Sequence, residues 1–214
     1  MHAALGEPVR LAIVDDLALS DRSPKELGER HDQPTNLLAH HLDVLEAAGL
    51  IVRFGSAGDR RRKYVRLVRS PSIPLSRPNT RPRKVLFLCS HNSARSQLAA
   101  ALWRARTGEH AESAGTHPAS RVHNGAVAAA RRAGLDLAAA TPRLVESIDP
   151  DAQVVTVCDR AHEELDPAPD WWHWSIRDPV ETGTAAAFDA VVADLDARIR
   201  TILPPNTPSE RNPA

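Results

Sequence analysis

Apolar positions follow two different rhythms along the chain, and the change of rhythm divides it. In the first third the rhythm is helical. "EPVRLAIVDDLAL" places Val9, Ala12, Ile13 and Leu17 on one face of a helix. "SPKELGERH" opens with Ser23 at the capping position, Pro24 behind it and Glu26 three residues on, which is the pattern of a capping box. "QPTNLLAHHLDVLEAAG" carries Pro34 early, an apolar face of Leu38, Leu42 and Leu45, and Gly49 as a stop. Two short strand patterns, "LIVRF" and "RRRKYVRLV", then flank the turn "GSAGD" and predict a hairpin.

Helices followed by a basic hairpin describe a winged helix-turn-helix, here spanning residues 1–69. The rhythm breaks at residues 70–83, which hold four prolines and no apolar periodicity and read as a stiff linker. From 84 to 203 strands alternate with helices. The strands are "KVLFL", "HAESAG", "QVVTV" and the short "WWHWSI". The helices are "SQLAAALWRARTG", "VHNGAVAAARRAG" and the closing "TAAAFDAVVADLDARIRTIL". This alternation predicts an α/β fold, a small four-stranded parallel sheet with flanking helices. The last stretch, 204–214, is expected to be a disordered tail.

Composition adds boundaries. The 214 residues are 42% apolar, enough for buried cores, and the formal net charge is zero. Between Arg53 and Arg69, however, seven basic residues face one acid, Asp59, a local basic patch suited to docking rather than to general polyanion binding. No apolar run approaches the length of a membrane span and no signal-like segment opens the chain, so a cytoplasmic protein without a membrane partner is expected. Two cysteines, Cys89 and Cys158, are too few for a disulfide framework, and a reducing compartment favours catalytic, redox or buried roles.

The chemistry concentrates in "VLFLCSHNSARSQLAAAL". Here a strand ends at a cysteine, and an arginine and a serine open the following helix. Loops between a strand's C-terminal end and a helix's N-terminus bind anions in such folds. Backbone N–H groups from Ser90, His91, Asn92, Ser93, Ala94, Arg95 and Ser96 can converge on one oxyanion, and the Arg95 fork can hold two of its oxygens. The same features stabilise a thiolate, moving the Cys89 pKa from roughly 8.5 toward neutral or below, and Ser96 can donate to it. The spacing therefore joins a nucleophile to an oxyanion cradle. No metal site is expected.

With these residues in view, the second part resembles the low-molecular-weight protein tyrosine phosphatase fold and, within it, the arsenate reductases. "ESAGTHP" (Glu112 to Pro118) and "RDPVE" (Arg177 to Glu181) match further landmarks of that family. The resemblance implies Asp178 as general acid, because hydroxide or phenolate leaves badly without a proton. Gln97, where phosphatases usually have proline, and "HWSIRDP" favour the reductase. So do Val180 and Glu181, where phosphatases tend to place tyrosines.

Cys158, at the end of "VVTVC", is by itself a small buried hydrophobe. In thioredoxin-linked arsenate reductases a cysteine occupies this strand end and another follows seven positions later, where this chain has Leu165. The resemblance implies that Cys158 can resolve arsenylated Cys89 as a disulfide, with an external low-molecular-weight thiol as the alternative. Closing the bond needs the two Cα atoms within roughly 7 Å, which a parallel neighbour plus one intervening strand exceeds, so the polar segment "DRAHEEL" would have to move.

"LGEPVRLAIVDDLA", "LLAHHLDVLEAAGLI" and "GDRRRKYVRL" resemble the ArsR-type repressors. That likeness implies double-stranded DNA as a partner. Thr35, Asn36, His40 and His41 would lie on a major-groove helix, and Arg60, Arg61, Arg62 and Lys63 on a phosphate-contacting wing. The family's arsenic-sensing cysteine pair is absent, and prolines from Pro71 replace the helix through which many relatives dimerise, so a homodimer would need another surface.

The expected function is thus reduction of arsenate to arsenite by Cys89, Arg95, Asp178 and Cys158, fused to a DNA-binding domain. No tightly bound cofactor is expected. An external thiol reductant (thioredoxin, glutaredoxin-type or low-molecular-weight) would restore the enzyme. The alternatives are a phosphatase using the same Cys89, Arg95 and Asp178, and a regulator that senses arsenate or phosphate without turnover.

Overall fold

The computed structural model describes residues 2–68 and 82–203. The expected tail, and the expected linker except for its last two residues, lie outside them. The first part runs α1 (His2–Leu5), α2 (Pro8–Leu17), α3 (Pro24–Arg30), α4 (Thr35–Ala47), β1 (Ile51–Gly55) and β2 (Lys63–Leu67). Ser23 and Glu26 form the capping box reciprocally at the start of α3. Gly49 takes a left-handed φ of 68° just past α4, which a side chain would resist. β1 and β2 pair antiparallel, Ile51 opposite Leu67 and Gly55 opposite Lys63. Ile13, Leu17, Leu27, Leu38, Leu42, Leu45 and Val65 close a separate apolar core over this part.

The second part runs β3 (Lys84–Cys89), α5 (Arg95–Thr107), β4 (His110–Gly115), α6 (Asn124–Arg132), β5 (Gln153–Thr156), α7 (Asp159–Glu164), β6 (Trp172–His173), α8 (Pro179–Thr182) and α9 (Ala185–Ile202). The sheet order is β4-β3-β5-β6 and every pairing is parallel. Side chains alternate along β3. Val85, Phe87 and Cys89 join the main core with Leu98, Trp103 and Phe188, while Leu86 and Leu88 face the opposite side with Ala114 and Val154. No helix among the described residues is long and apolar enough to cross a membrane.

Three sequence expectations are corrected. β3 and β5 are direct neighbours, with Leu88 opposite Thr156, so no strand separates the two cysteines. "DRAHEEL", the segment expected to move, is α7 with its C-cap Leu165, a helix capped at its start by Cys158. His41 is buried at 5% exposure, because it shares the inward face of α4 with Leu38, Leu42 and Leu45, and its Nδ1 lies 3.7 Å from Glu7. It is therefore turned away from any surface that could meet DNA.

The two parts are fastened together by buried polar contacts. Asp21, 1% exposed, accepts from Arg66 and Arg198 and from the Ser175 amide at 2.8 Å. The Asp21 amide donates to the His173 carbonyl at 2.7 Å, and Arg22 Nη1 donates to the Trp171 carbonyl at 3.0 Å. Behind them, the imidazoles of His162 and His173 stack 4.0 Å apart, and the Thr156 hydroxyl lies 2.9 Å from each Nδ1. His173 Nε2 reaches Asp159 at 3.1 Å, and His162 Nε2 faces Glu26 of α3 at 3.7 Å.

Candidate active site

The loop after β3 is held from outside. Its carbonyls at Ser90, His91 and Ser93 accept the amides of His117, Ala119 and His123 at 2.8–2.9 Å. Carbonyls bound outward leave a loop whose N–H groups can face its centre. Gly115 makes the approach of β4 possible, since a Cβ there would stand 2.7 Å from the Ser90 carbonyl oxygen and 3.0 Å from the Asn92 nitrogen. Asn92 has a φ of 47°, a left-handed conformation that asparagine tolerates better than most residues.

Cys89 is 2% exposed. Its Sγ accepts the Asn92 amide at 3.2 Å and lies 3.0 Å from Ser96 Oγ. The direction of that second bond follows from the network. Asn92 Oδ1 accepts the Arg143 amide at 2.9 Å and Gln97 Nε2 at 3.1 Å, which turns Asn92 Nδ2 toward Ser96 Oγ at 2.8 Å. Ser96 thus accepts from Asn92 and gives its own proton to the sulfur. Gln97 also donates to the Thr141 carbonyl at 3.1 Å, so the residue that departs from the phosphatase pattern braces Asn92.

Arg95 is 8% exposed. Its Nη1 donates to the Ile176 carbonyl at 3.1 Å and its Nη2 to Asp178 Oδ2 at 2.5 Å. Burial opposes the guanidinium charge, but the sulfurs of Cys158 and Cys89 and the Asp178 carboxylate outweigh it and hold the pKa above its usual value. Asp178 caps α8 as well, its Oδ1 accepting the Val180 amide at 3.0 Å. One carboxylate therefore has both a capping role and a place against the guanidinium.

Cys158, 1% exposed, lies in the same cradle. Its Sγ accepts the Ser90 amide at 3.3 Å and the Ala161 amide at 3.4 Å, with Ser90 Oγ at 3.5 Å. Burial pushes its thiol pKa up, the Arg95 charge opposes this, and Cys89 adds to it. The loop amides are thus divided. Those of Ser90 and Asn92 serve the two sulfurs rather than an oxyanion, and the Ser96 hydroxyl serves Cys89. His91, Ser93 and Ala94 are the predicted cradle residues not engaged with a sulfur, and the Arg95 fork holds the Ile176 carbonyl and Asp178. His91, Ser93, Arg121, His123, Asp178 and Glu181 line a cavity of about 620 Å³ at the mouth.

At the other predicted surface, Thr35, Asn36 and His40 on α4 are exposed, as are Arg60, Arg61, Arg62 and Lys63. Arg61 is folded onto Asp59, with Nη2 and Oδ2 2.9 Å apart, which neutralises one of the four charges. The sequence reading missed Asn92 as a brace for the serine, and it missed the packing of the hairpin turn on α7. The first had a signal in an asparagine where the loop must turn; the second joins residues a hundred positions apart and had none.

The family model described as "Low molecular weight phosphotyrosine protein phosphatase" matches residues 84–209. An arsenate reductase from Archaeoglobus fulgidus is 31% identical, over 55% of this chain and 97% of its own, with a TM-score of 0.48. A thioredoxin-dependent arsenate reductase from Corynebacterium glutamicum is 26% identical, over 55% of this chain and 58% of its own, with a TM-score of 0.43. A tyrosine phosphatase from Erwinia amylovora is 17% identical, over 58% of this chain and 93% of its own, with a TM-score of 0.48. No curated protein matches the chain.

Proposed function

The chain belongs to the low molecular weight phosphotyrosine protein phosphatase family, and from that premise we propose that it is an arsenate reductase joined to a DNA-binding winged helix. The observation that carries the reductase reading is the second thiol inside the nucleophile's cradle, Cys158 Sγ on the amide of the residue next to Cys89. A phosphatase needs Cys89, Arg95 and Asp178, and it has no use for Cys158.

In the proposed reaction arsenate settles against the free loop amides and the Arg95 fork. The Cys89 thiolate attacks arsenic, and Asp178, freed from Arg95 by the incoming anion and protonated, gives its proton to the departing oxygen, which leaves as water. Cys158, once deprotonated, then attacks the Cys89 sulfur. The S–As bond breaks, and its electron pair stays on arsenic, which falls from As(V) to As(III) and leaves as arsenite. The two thiols are oxidised to a Cys89–Cys158 disulfide, which an external thiol reductant opens again.

The second reading, a phosphatase working through Cys89, Arg95 and Asp178, is favoured by the family itself. Turnover of arsenate and of an aryl phosphate, each with thioredoxin, glutaredoxin and a low-molecular-weight thiol, separates the two. The reductase reading expects thiol-dependent arsenite and little phosphate release. Phosphate release with no arsenite overturns it.

For the N-terminal part we propose double-stranded DNA as the partner, met by Thr35, Asn36 and His40 of α4 and by Arg60, Arg62 and Lys63 of the hairpin. Their exposure supports this reading.

A further inference from the structure

The turn between β1 and β2 is packed onto the first turns of α7, the helix that Cys158 caps. The Ala57 amide donates to Asp159 Oδ2 at 2.7 Å. Glu163 gathers three donors: Ser56 Oγ at 2.6 Å, the Asp59 amide at 2.7 Å and Tyr64 Oη at 3.2 Å. Gly58 lets the chains come this close, because a Cβ there would meet the side chain of Glu163 and stand 3.2 Å from the backbone nitrogen and Cα of Arg160. A solvated wing would need neither a glycine fitted to a helix backbone nor two backbone amides directed at its carboxylates.

We propose that the hairpin of the N-terminal domain is the positioning element for Cys158, holding α7 so that its capping sulfur stays covered and seated on the nucleophile loop. The thiol sits on the Ser90 and Ala161 amides with Ser90 Oγ 3.5 Å away, and the Ala161 amide belongs to α7 itself, so the thiol leaves its seat only if the start of α7 yields. The start of α7 is bound to the hairpin through Asp159 and, one turn on, through Glu163. Release of the sulfur and release of the hairpin are therefore one event seen from two ends, and by reciprocity whatever loosens one loosens the other. Conversion of Cys158 to a disulfide removes the α7 cap and weakens the hairpin's hold. The state of the thiol thereby reaches the Arg60–Lys63 surface. The positioning role stands for Cys158 as a thiol; its bearing on turnover rests on the reductase reading.

The test is the rate at which each cysteine of the reduced full chain is alkylated by iodoacetamide, followed by peptide mass spectrometry, with Cys89 as internal reference. Glu163→Ala removes the acceptor of three donors, and Gly58→Ala wedges the turn away while leaving every acceptor in place. Both lie away from the two sulfurs. Each is expected to speed Cys158 labelling about tenfold or more with Cys89 unchanged. Glu163→Gln, which keeps an acceptor oxygen, should restore most of the protection. Wild-type Cys158 rates in both disrupting variants would overturn the proposal, and so would equal acceleration of both cysteines, which reports general loosening. Arsenate plays no part in this measurement. A failure of the reductase reading, seen as absence of arsenite, is therefore distinct from a failure of the clamp.

Discussion

Cys158 Sγ sits 3.3 Å from the backbone nitrogen of Ser90, the residue that follows the proposed nucleophile Cys89, while also capping α7 through the Ala161 amide. A sulfur in that place couples the anion loop to a helix, and through the helix to the N-terminal hairpin.

Arg95 and Asp178 share a 2.5 Å ion pair. Arg95→Lys keeps the charge and loses the planar fork, so arsenate turnover should fall by at least about a hundredfold, with weaker anion binding. Asp178→Asn removes the proton donor, and kcat should fall by about two to four orders of magnitude while anion affinity stays near wild type. Steady-state kinetics together with calorimetric titration of arsenate separate the two losses. Equal effects on affinity from both variants would contradict the assigned roles.

Asn92 directs the Ser96 proton at Cys89. Asn92→Ala frees Ser96 from that direction and leaves the Arg143 amide and the Gln97 side chain short of an acceptor. Stability should drop by about 1–3 kcal/mol. Labelling of Cys89 by iodoacetamide at a fixed pH should also slow, as its sulfur loses the directed Ser96 donor. An unchanged labelling rate would remove Asn92 from the nucleophile's support.

Arg60, Arg62 and Lys63 are exposed and Arg61 is tied to Asp59. Alanine at the three free positions should weaken binding to double-stranded DNA. The slope of log K against log salt should become shallower by about 0.9 for each phosphate that is no longer neutralised. Arg61→Ala should change the slope less. A slope equal to wild type in the triple variant would leave the exposed basic side chains of the hairpin with no role in DNA binding.

Acid should open the interface between the two parts. Burial disfavours the Asp159 charge, but His173 outweighs it and holds the pKa at about 2, below the ordinary 3.8. Burial likewise opposes the charge of Glu26, and His162 and Ser23 hold it at about 2 against an ordinary 4.5. Both depressed carboxylates contribute stability that is complete above their ordinary values and is lost as pH falls toward 2, on the order of 2 kcal/mol each. Burial lowers the His162 pKa below 6.5, so its contribution also declines as pH falls, starting near that value. Denaturant unfolding should therefore show stability declining below pH about 6.5 and steeply below about 4, and Asp159→Asn should flatten the steep limb. A limb unchanged in that variant would contradict the linkage.

Much of this was legible in the sequence where the signals are local. The strand, loop and helix from Val85 to Leu102 are contiguous, so Cys89 and Arg95 could be paired on paper. The Ser23–Glu26 box likewise declares its own helix. Where partners lie far apart the sequence is silent: nothing local puts β5 beside β3, or brings Ala57 to Asp159 across 102 positions. α7 escaped notice because six residues are too few for a periodic signal and its cap is a cysteine rather than a serine or aspartate. His41 was legible and misread, since positions 38, 41, 42 and 45 follow the spacing of one buried helix face.

The most direct measurement is a single turnover without reductant. Reduced full-length protein is mixed with one equivalent of arsenate, quenched in acid, and analysed for arsenite and for cross-linked peptides by mass spectrometry. One equivalent of arsenite with a Cys89–Cys158 disulfide is expected in the wild type, and neither in Cys89→Ser. In Cys158→Ser no disulfide and no arsenite should form until an external thiol is added. Arsenite release from Cys158→Ser at the wild-type rate and without added thiol, or a wild-type protein that leaves both cysteines reduced and arsenate unchanged, would contradict the assignment of Cys158 as the thiol that completes the reduction.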